Sequence, residues 1–305
     1  MKKIIFLLTC LFVFTNNLYA ALNMVEVKPN VFVHQGQHLD VDEGYQGDIC
    51  NIGFIIGNKS IAVIDTGGSL KVGSELLKEI RKRSSLPISH VINTHVHLDH
   101  IYGNAVFKSE HSEFVGHKNL AKAMLIRKAF YERLNLELLE VPLKYSVQVP
   151  PSIEINEGEI LKIDLGGRVL SIEAYPEAHT NSDVTVFDEK TKTLWTGDLL
   201  FVERAPVIDG NIHGFIEVVK NLSHRSLDLV VPGHGTPPED YQKAFKKMQH
   251  YLVSLRDSIR QAIDDDIDLD EATQTLLKDQ ANEWELFNIQ NPRNINHVYP
   301  SMEWE

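Results

Sequence analysis

Cysteine is nearly absent: the 305 residues hold two, Cys10 and Cys50. Basic charge is short as well, with 30 Lys and Arg against 42 Asp and Glu and a formal net charge of −12. The first shortage leaves no room for a disulfide framework. The second argues against a nucleic-acid backbone as the main partner, because phosphate binding needs clustered Lys and Arg. The densest basic stretch, KEIRKR at 78–83, ends an expected helix and reads as its solvated C-terminus. Low-complexity stretches are missing too. With 43% hydrophobic residues the chain can bury a sizeable core.

What stands first is an address. Lys2 and Lys3 precede an apolar run at 4–14 that is too short to span a bilayer stably. Leu18-Tyr19-Ala20 then ends in a small residue, so residues 1–20 read as an export signal cut after Ala20. The mature chain is expected to be periplasmic or secreted, without stable membrane insertion. Cys10 lies inside the apolar run rather than after it, which argues against lipidation. Removing Lys2 and Lys3 leaves 28 basic residues against 42 acidic ones, a formal charge of −14. Cys50 is then the only thiol. It sits in DICNIGFIIG, an expected strand, and reads as a buried packing residue.

Between 25 and 65, short β-branched runs alternate with turn residues (VFVHQ, CNIGFIIG, SIAVIDTGG), the pattern of strands. Leu70, Val72, Leu76, Leu77 and Ile80 are spaced for a helix over 70–83. Another helix is expected over 117–134, strands over 160–163, 169–174, 184–187 and 193–195, a helix over 214–222, and a last strand in LDLVVPGHG. This alternation predicts an α/β fold of two mixed sheets packed together with helices outside. In TPPE, Thr236 is placed as an N-cap, Pro237 at the first helical position and Glu239 closing a capping box. Tyr241, Phe245, Met248, Leu252, Leu255, Ile259 and Ile263 follow at threes and fours as one apolar stripe. Residues 236–305 therefore read as a helical C-terminal extension of one domain over 21–305. The acidic DDDIDLDE reads as a helix end followed by an Asp cap, not as a calcium loop.

The chemistry is concentrated in NTHVHLDHIYGN at 93–104, directly after an apolar run. Residues two apart on an extended segment share a side, so His95 and His97 can grip one ion. The chain then turns through Leu98, and Asp99 and His100 can face a neighbouring position. Imidazole suits zinc, copper, iron or nickel, and carboxylate widens the choice to manganese. His179 in EAHTNSD, Asp198 in LWTGDLLF and His234 in VVPGHG are further candidates, each at a strand end beside turn residues.

Five motifs in order, IDTG, THVHLDH, HTNSD, TGD and PGHG, resemble those of the metallo-β-lactamase fold, and the likeness runs over 25–235. The resemblance implies a four-layer αββα sandwich with metals in a cleft at one edge. It implies one ion on His95, His97 and His179, a second on Asp99, His100 and His234, and Asp198 bridging both. Asp65 would stand behind them, holding a ligand or the loop. The β-lactamases best known for resistance place a Cys where this chain has Asp198. A bridging Asp resembles glyoxalase II and much of the wider hydrolase family. NIGFIIG, HVINTHVHLDHIYGNAVF, DLLFVERAPVIDG and the terminal EWE are also similar to the exported quinoprotein relay system zinc metallohydrolases, which are related to a hydrolase of sulfur-oxidation clusters.

The expected function is a hydrolase in which two Zn2+ ions (iron or manganese being the other options) lower the pKa of a shared water to about 7. Asp99 and Asp198 would orient it toward an ester, thioester, amide or lactam of a small-molecule substrate. A mono-iron persulfide dioxygenase, a β-lactamase subclass and a relay protein without turnover are the rival readings. Arg204 in FVERAP can hold a substrate carboxylate or phosphate, with a surface salt bridge as the competing role. His117 and His213 read as structural or solvated.

Overall fold

The computed structural model of the chain describes residues 22–40 and 45–305. The export signal expected at 1–20 lies outside the described residues. A first sheet contains β1 (Met24–Lys28), β2 (Val31–His34), β3 (Ile52–Ile56), β4 (Ile61–Ile64), β5 (Ile88–Ile92), β6 (Glu113–His117) and β7 (Ile153–Ile155) in that spatial order. Its first four strands pair antiparallel and the rest parallel. A second sheet contains β8 (Ile160–Asp164), β9 (Val169–Ala174), β10 (Val184–Asp188), β11 (Thr193–Phe201) and β12 (Leu229–His234), antiparallel except for the final β11–β12 pair.

Side-chain alternation along the strands builds the layers. Val31, Val33, Ile55, Ala62 and Ile64 point between the sheets against Leu170, Ile172, Val184, Val186 and Trp195. Phe32, Phe54, Ile61 and Val63 face the other way. They pack under helix α1 (Leu70–Arg83) against its Val72, Leu76 and Ile80. The short helices α2 (Leu98–Ile101) and α3 (Asn104–Phe107) follow β5, and α4 (Leu120–Leu139) follows β6. On the far side, α5 (Ile212–Ser223), α6 (Tyr241–Asp264), α7 (Leu269–Thr275) and α8 (Phe287–Met302) cover the second sheet around Phe201, Phe215, Phe245 and Tyr251. The result is the expected αββα sandwich with a helical C-terminal part.

α1 occupies the expected residues: Ser69 Oγ accepts from the Val72 amide, and Arg81, Lys82 and Arg83 occupy the last turn. Several boundaries differ; α4 runs on to Leu139 and α5 begins at Ile212. α4 begins at Leu120 rather than 117, because His117 ends β6 and its Nδ1 accepts from the Asn119 amide. α6 begins at Tyr241, capped by Asp240 on the Lys243 amide, and Thr236 bonds Glu203 instead. Two successive prolines explain this, since Pro238 keeps Pro237 out of the helical region. β11 runs on past Trp195 to Phe201. The acidic run behaves as expected: α6 ends at Asp264, and Asp268 caps α7 by accepting from the Glu271 amide.

Candidate metal centre

All seven expected ligands meet at one rim of the sandwich, where strand ends deliver them. β5 stops at Ile92, and the chain does not stay extended through His95 and His97. It bends at His95-Val96, and His97 is the residue that starts α2, which carries Asp99 and His100. His179 sits in the loop between β9 and β10, where Asp183 accepts from the Thr180 amide at 2.8 Å and its hydroxyl at 2.6 Å. Asp198 lies within β11 and His234 ends β12. Gly197 has φ +51°, and a Cβ at Gly233 would stand 2.0 Å from Asp198 Oδ1. Both glycines are therefore what lets the Asp198 carboxylate reach the cluster.

Each imidazole has one nitrogen committed away from the centre. Nδ1 of His95 donates to Thr94 Oγ1 (3.0 Å), of His100 to Asp65 Oδ2 (2.8 Å), of His179 to the Val207 carbonyl (2.7 Å), and of His234 to the Ile49 carbonyl (2.7 Å). These four rings present Nε2. His97 is reversed: Nε2 donates to Asp209 Oδ2 at 3.0 Å, so Nδ1 faces inward. That partnering fixes tautomer and ring orientation together, as it does around protein-bound metals. Asp65 also accepts from the Thr94 amide and hydroxyl, so it stands behind His95 and His100 and holds the loop that carries them.

The inward atoms then confront one another. His179 Nε2 is 3.1 Å from His97 Nδ1, two lone pairs face to face. Asp198 Oδ2 is 3.3 Å from His179 Nε2, 3.7 Å from His95 Nε2 and 3.3 Å from His234 Nε2, while Oδ1 is 3.2 Å from His100 Nε2. Asp99 Oδ2 lies 3.5 Å from His100 Nε2 and 3.4 Å from His234 Nε2. Bonds of about 2.0–2.2 Å to a tetrahedral ion put neighbouring donors roughly 3.3–3.6 Å apart. His95 Nε2, His100 Nε2 and Asp198 Oδ1 are buried without a hydrogen-bond partner among the described residues. Such orphans cost about 1–3 kcal/mol each unless something satisfies them. A metal cation satisfies all three, so the donor set fits a metal centre.

The electrostatics agree. Burial pulls His179 down to about 4 and lowers His95, so both stand neutral, the ligating form. Burial opposes protonation of His100 as well, but Cys50, Asp198, Asp99 and Asp65 outweigh it and push its pKa well up. That end of the cluster calls for positive charge.

Other candidates are placed differently. Arg204 is not on the surface: it is 5% exposed, forms no ion pair among the described residues, and lies with Nη1 3.4 Å from His234 Nδ1. His117 is buried at the end of β6 and His213 pairs with Glu305, so neither joins the donors. Cys50 precedes β3 instead of lying in it, and its thiol donates to the Asp99 carbonyl at 2.9 Å. Burial pushes that thiol up to about 12.

Two supporting residues carried no sequence signal. Asp209 accepts from His97 and, at 2.5 Å, from Arg127 of α4; its amide also donates to the His179 carbonyl. Burial would raise its pKa, but His97 and Arg127 outweigh that and hold the carboxyl well below the usual range. Asp209→Asn is expected to weaken the first metal equivalent by about 10–100-fold. A chelator-competition titration with zinc measures this, and an unchanged affinity would remove Asp209 from the account.

The sequence model described as the metallo-beta-lactamase superfamily matches residues 45–255. A probable metallo-hydrolase of Bacillus subtilis (strain 168), YqjP, is 25% identical over 254 residues, 72% of this chain and 77% of that protein. A metallo-beta-lactamase type 2 of Bacillus sp. (strain 170) is 23% identical over 224 residues, 70% of this chain and 76% of that one. Among solved structures, the stereoselective inverting sec-alkylsulfatase Pisa1 of Pseudomonas sp. superposes with a TM-score of 0.71 at 15% identity. That match covers 92% of this chain and 50% of the sulfatase, and at such identity it speaks to fold alone.

Proposed function

The chain belongs to the metallo-β-lactamase superfamily and is a metal-dependent hydrolase, and from that premise we propose an exported enzyme with two zinc ions that cleaves an ester, thioester, amide or lactam. One observation carries the dinuclear reading: Asp198 Oδ2 stands within 3.7 Å of His95 and His179 and within 3.3 Å of His234, while Oδ1 is 3.2 Å from His100. A single carboxylate thus touches both donor groups. His95, His97 and His179 would hold the first ion, and Asp99, His100 and His234 the second. When bound, the pair supplies Lewis acidity and a water acidic enough to act as a nucleophile near neutral pH.

The chain's own residues set the rest. Asp99 is buried, which would raise its pKa, yet His100 and His234 hold it low. It therefore stays an acceptor, able to orient a nucleophile and to take a proton at Oδ2 only at the expense of its ligand role. His95 and His179 form the dry floor of the site, while His97 and Asp209, with side chains 17% and 35% exposed, mark the side on which it opens. Arg204 supports an anionic substrate. Among the described residues its one polar side-chain neighbour at hydrogen-bond range is His234 Nδ1, which already donates to Ile49 and cannot accept. The Arg204 Nε is also buried without a partner. Once metal ions neutralise Asp99 and Asp198, a substrate carboxylate, sulfate or phosphate is the natural counter-charge.

Metal analysis with a substrate panel tests the reading. Two zinc ions per chain and chelator-sensitive cleavage of a generic thioester, ester or lactam are expected. One iron per chain with dioxygen uptake would overturn it in favour of a mono-iron oxygenase. Arg204→Gln is expected to raise KM for an anionic substrate about tenfold or more, the worth of a charge-assisted hydrogen bond. The neutral ester of that substrate should be unaffected, and an equal loss for both would remove the charge role.

A further inference from the structure

His100 stands at a fork. Its ring belongs to one group of possible ligands with Asp198 and His234, and to another with Asp99 and the thiol of Cys50. In each group the ligating atoms lie within 4.8 Å of one another. The reading above uses the first group and leaves the sulfur out. Yet Cys50 is buried beside the second metal position, with Sγ 2.9 Å from the Asp99 carbonyl. A second observation points to a ligand here independently of the cysteine: His100 Nε2, 3.5 Å from Asp99 Oδ2, is fully buried with no hydrogen-bond partner among the described residues, its Nδ1 being committed to Asp65.

We propose that Cys50 is a metal ligand, which with Asp99 and His100 forms a thiolate-containing seat for the second ion, offset from the one that Asp198 and His234 define. It rests on the dinuclear reading in one respect, that the second position takes an ion at all. With metal–sulfur bonds of about 2.3 Å and metal–nitrogen or metal–oxygen bonds of about 2.0–2.2 Å, donors on one tetrahedral ion lie roughly 3.3–3.8 Å apart. The group therefore has to contract by about 1.5 Å at most. On binding, the thiol proton leaves to solvent and the hydrogen bond to Asp99 is exchanged for a metal–sulfur bond. A sulfur donor makes this seat favour zinc, cobalt(II) or cadmium over magnesium or manganese. Asp99 and His100 serve the second ion in either arrangement, so Cys50 adds a sulfur donor to residues already assigned to it.

The test uses the chain with Cys10→Ser, in which Cys50 is the single thiol, stripped of metal and titrated with cobalt(II) while bound metal is counted. Two equivalents and a near-ultraviolet thiolate-to-cobalt charge-transfer band growing with the second are expected. In Cys50→Ser on that background the band should vanish, and the second equivalent should bind about tenfold more weakly with the first unchanged. Two equivalents without the band would overturn the proposal and leave the dinuclear reading intact. One equivalent with the band would keep Cys50 as a ligand and overturn the dinuclear reading instead. Should Cys50→Ser fail to fold, the parent spectrum decides, because no other thiol can give the band.

Discussion

Asp198→Asn is expected to reduce zinc from two ions per chain toward one and to lower turnover at least about a hundredfold, while the fold survives. Losing a residue that merely supports a ligand costs about 10–100-fold in affinity or activity, and Asp198 is proposed as a ligand to both ions. The amide keeps the shape of the carboxylate but gives up one acceptor oxygen and the negative charge. His95, His179, His234 and His100 all stand 3.2–3.7 Å from that carboxylate, so no neighbour can replace it. Burial alone would raise the Asp198 pKa; the histidines outweigh it and hold the group anionic, ready for a cation. Metal content by elemental analysis, turnover and circular dichroism are the three measurements. A variant with two zinc ions and near-parental turnover would show that Asp198 does not bridge.

The clustered donors were legible because the chain writes them in one dense motif and three strand ends, and a sheet rim is where rigid backbone can present side chains. The supporting shell was much less so. His179 and His234 are oriented by the carbonyls of Val207 and Ile49, and a backbone acceptor leaves no trace in the sequence. Asp209 is 112 residues from His97 and sits in an ordinary turn, so only the packed fold reveals it. Cys50 read as packing because an isolated thiol in an apolar run usually is; its place beside Asp99 is a contact across 49 residues that only the packed fold reveals. Helix limits divided in the same way. α1 carries its own Ser69 cap and basic last turn, whereas the start of α6 was contested between Thr236 and Asp240 and settled by the two prolines between them. The burial of Arg204 was not legible, because sequence does not show that a charged residue lies inside the fold.

Asp188→Ala should be the most destabilising single change away from the metal centre, at about 3–5 kcal/mol. Asp188 accepts from Arg168 twice, Nε to Oδ1 at 3.1 Å and Nη2 to Oδ2 at 2.6 Å, with both residues buried. The same guanidinium donates through Nη1 to the carbonyls of Pro29 (3.0 Å), in the turn between β1 and β2, and of Ile56 (3.1 Å), which ends β3 of the first sheet. Arg168 itself immediately precedes β9 of the second sheet and Asp188 ends β10, so this pair ties the two halves of the sandwich together. Removing the carboxylate strands a buried cation with two carbonyls and no counter-charge, and also frees Thr191, whose hydroxyl donates to Asp188. A fall in Tm on the order of 10 °C follows for a domain of this size. The double variant Arg168→Met with Asp188→Leu should recover much of the loss, because it removes the stranded charge along with its partner. Urea denaturation with metal saturating in every sample measures both, and a loss below about 1 kcal/mol in Asp188→Ala would mean that water reaches Arg168 and the pair is not the tie it is taken to be.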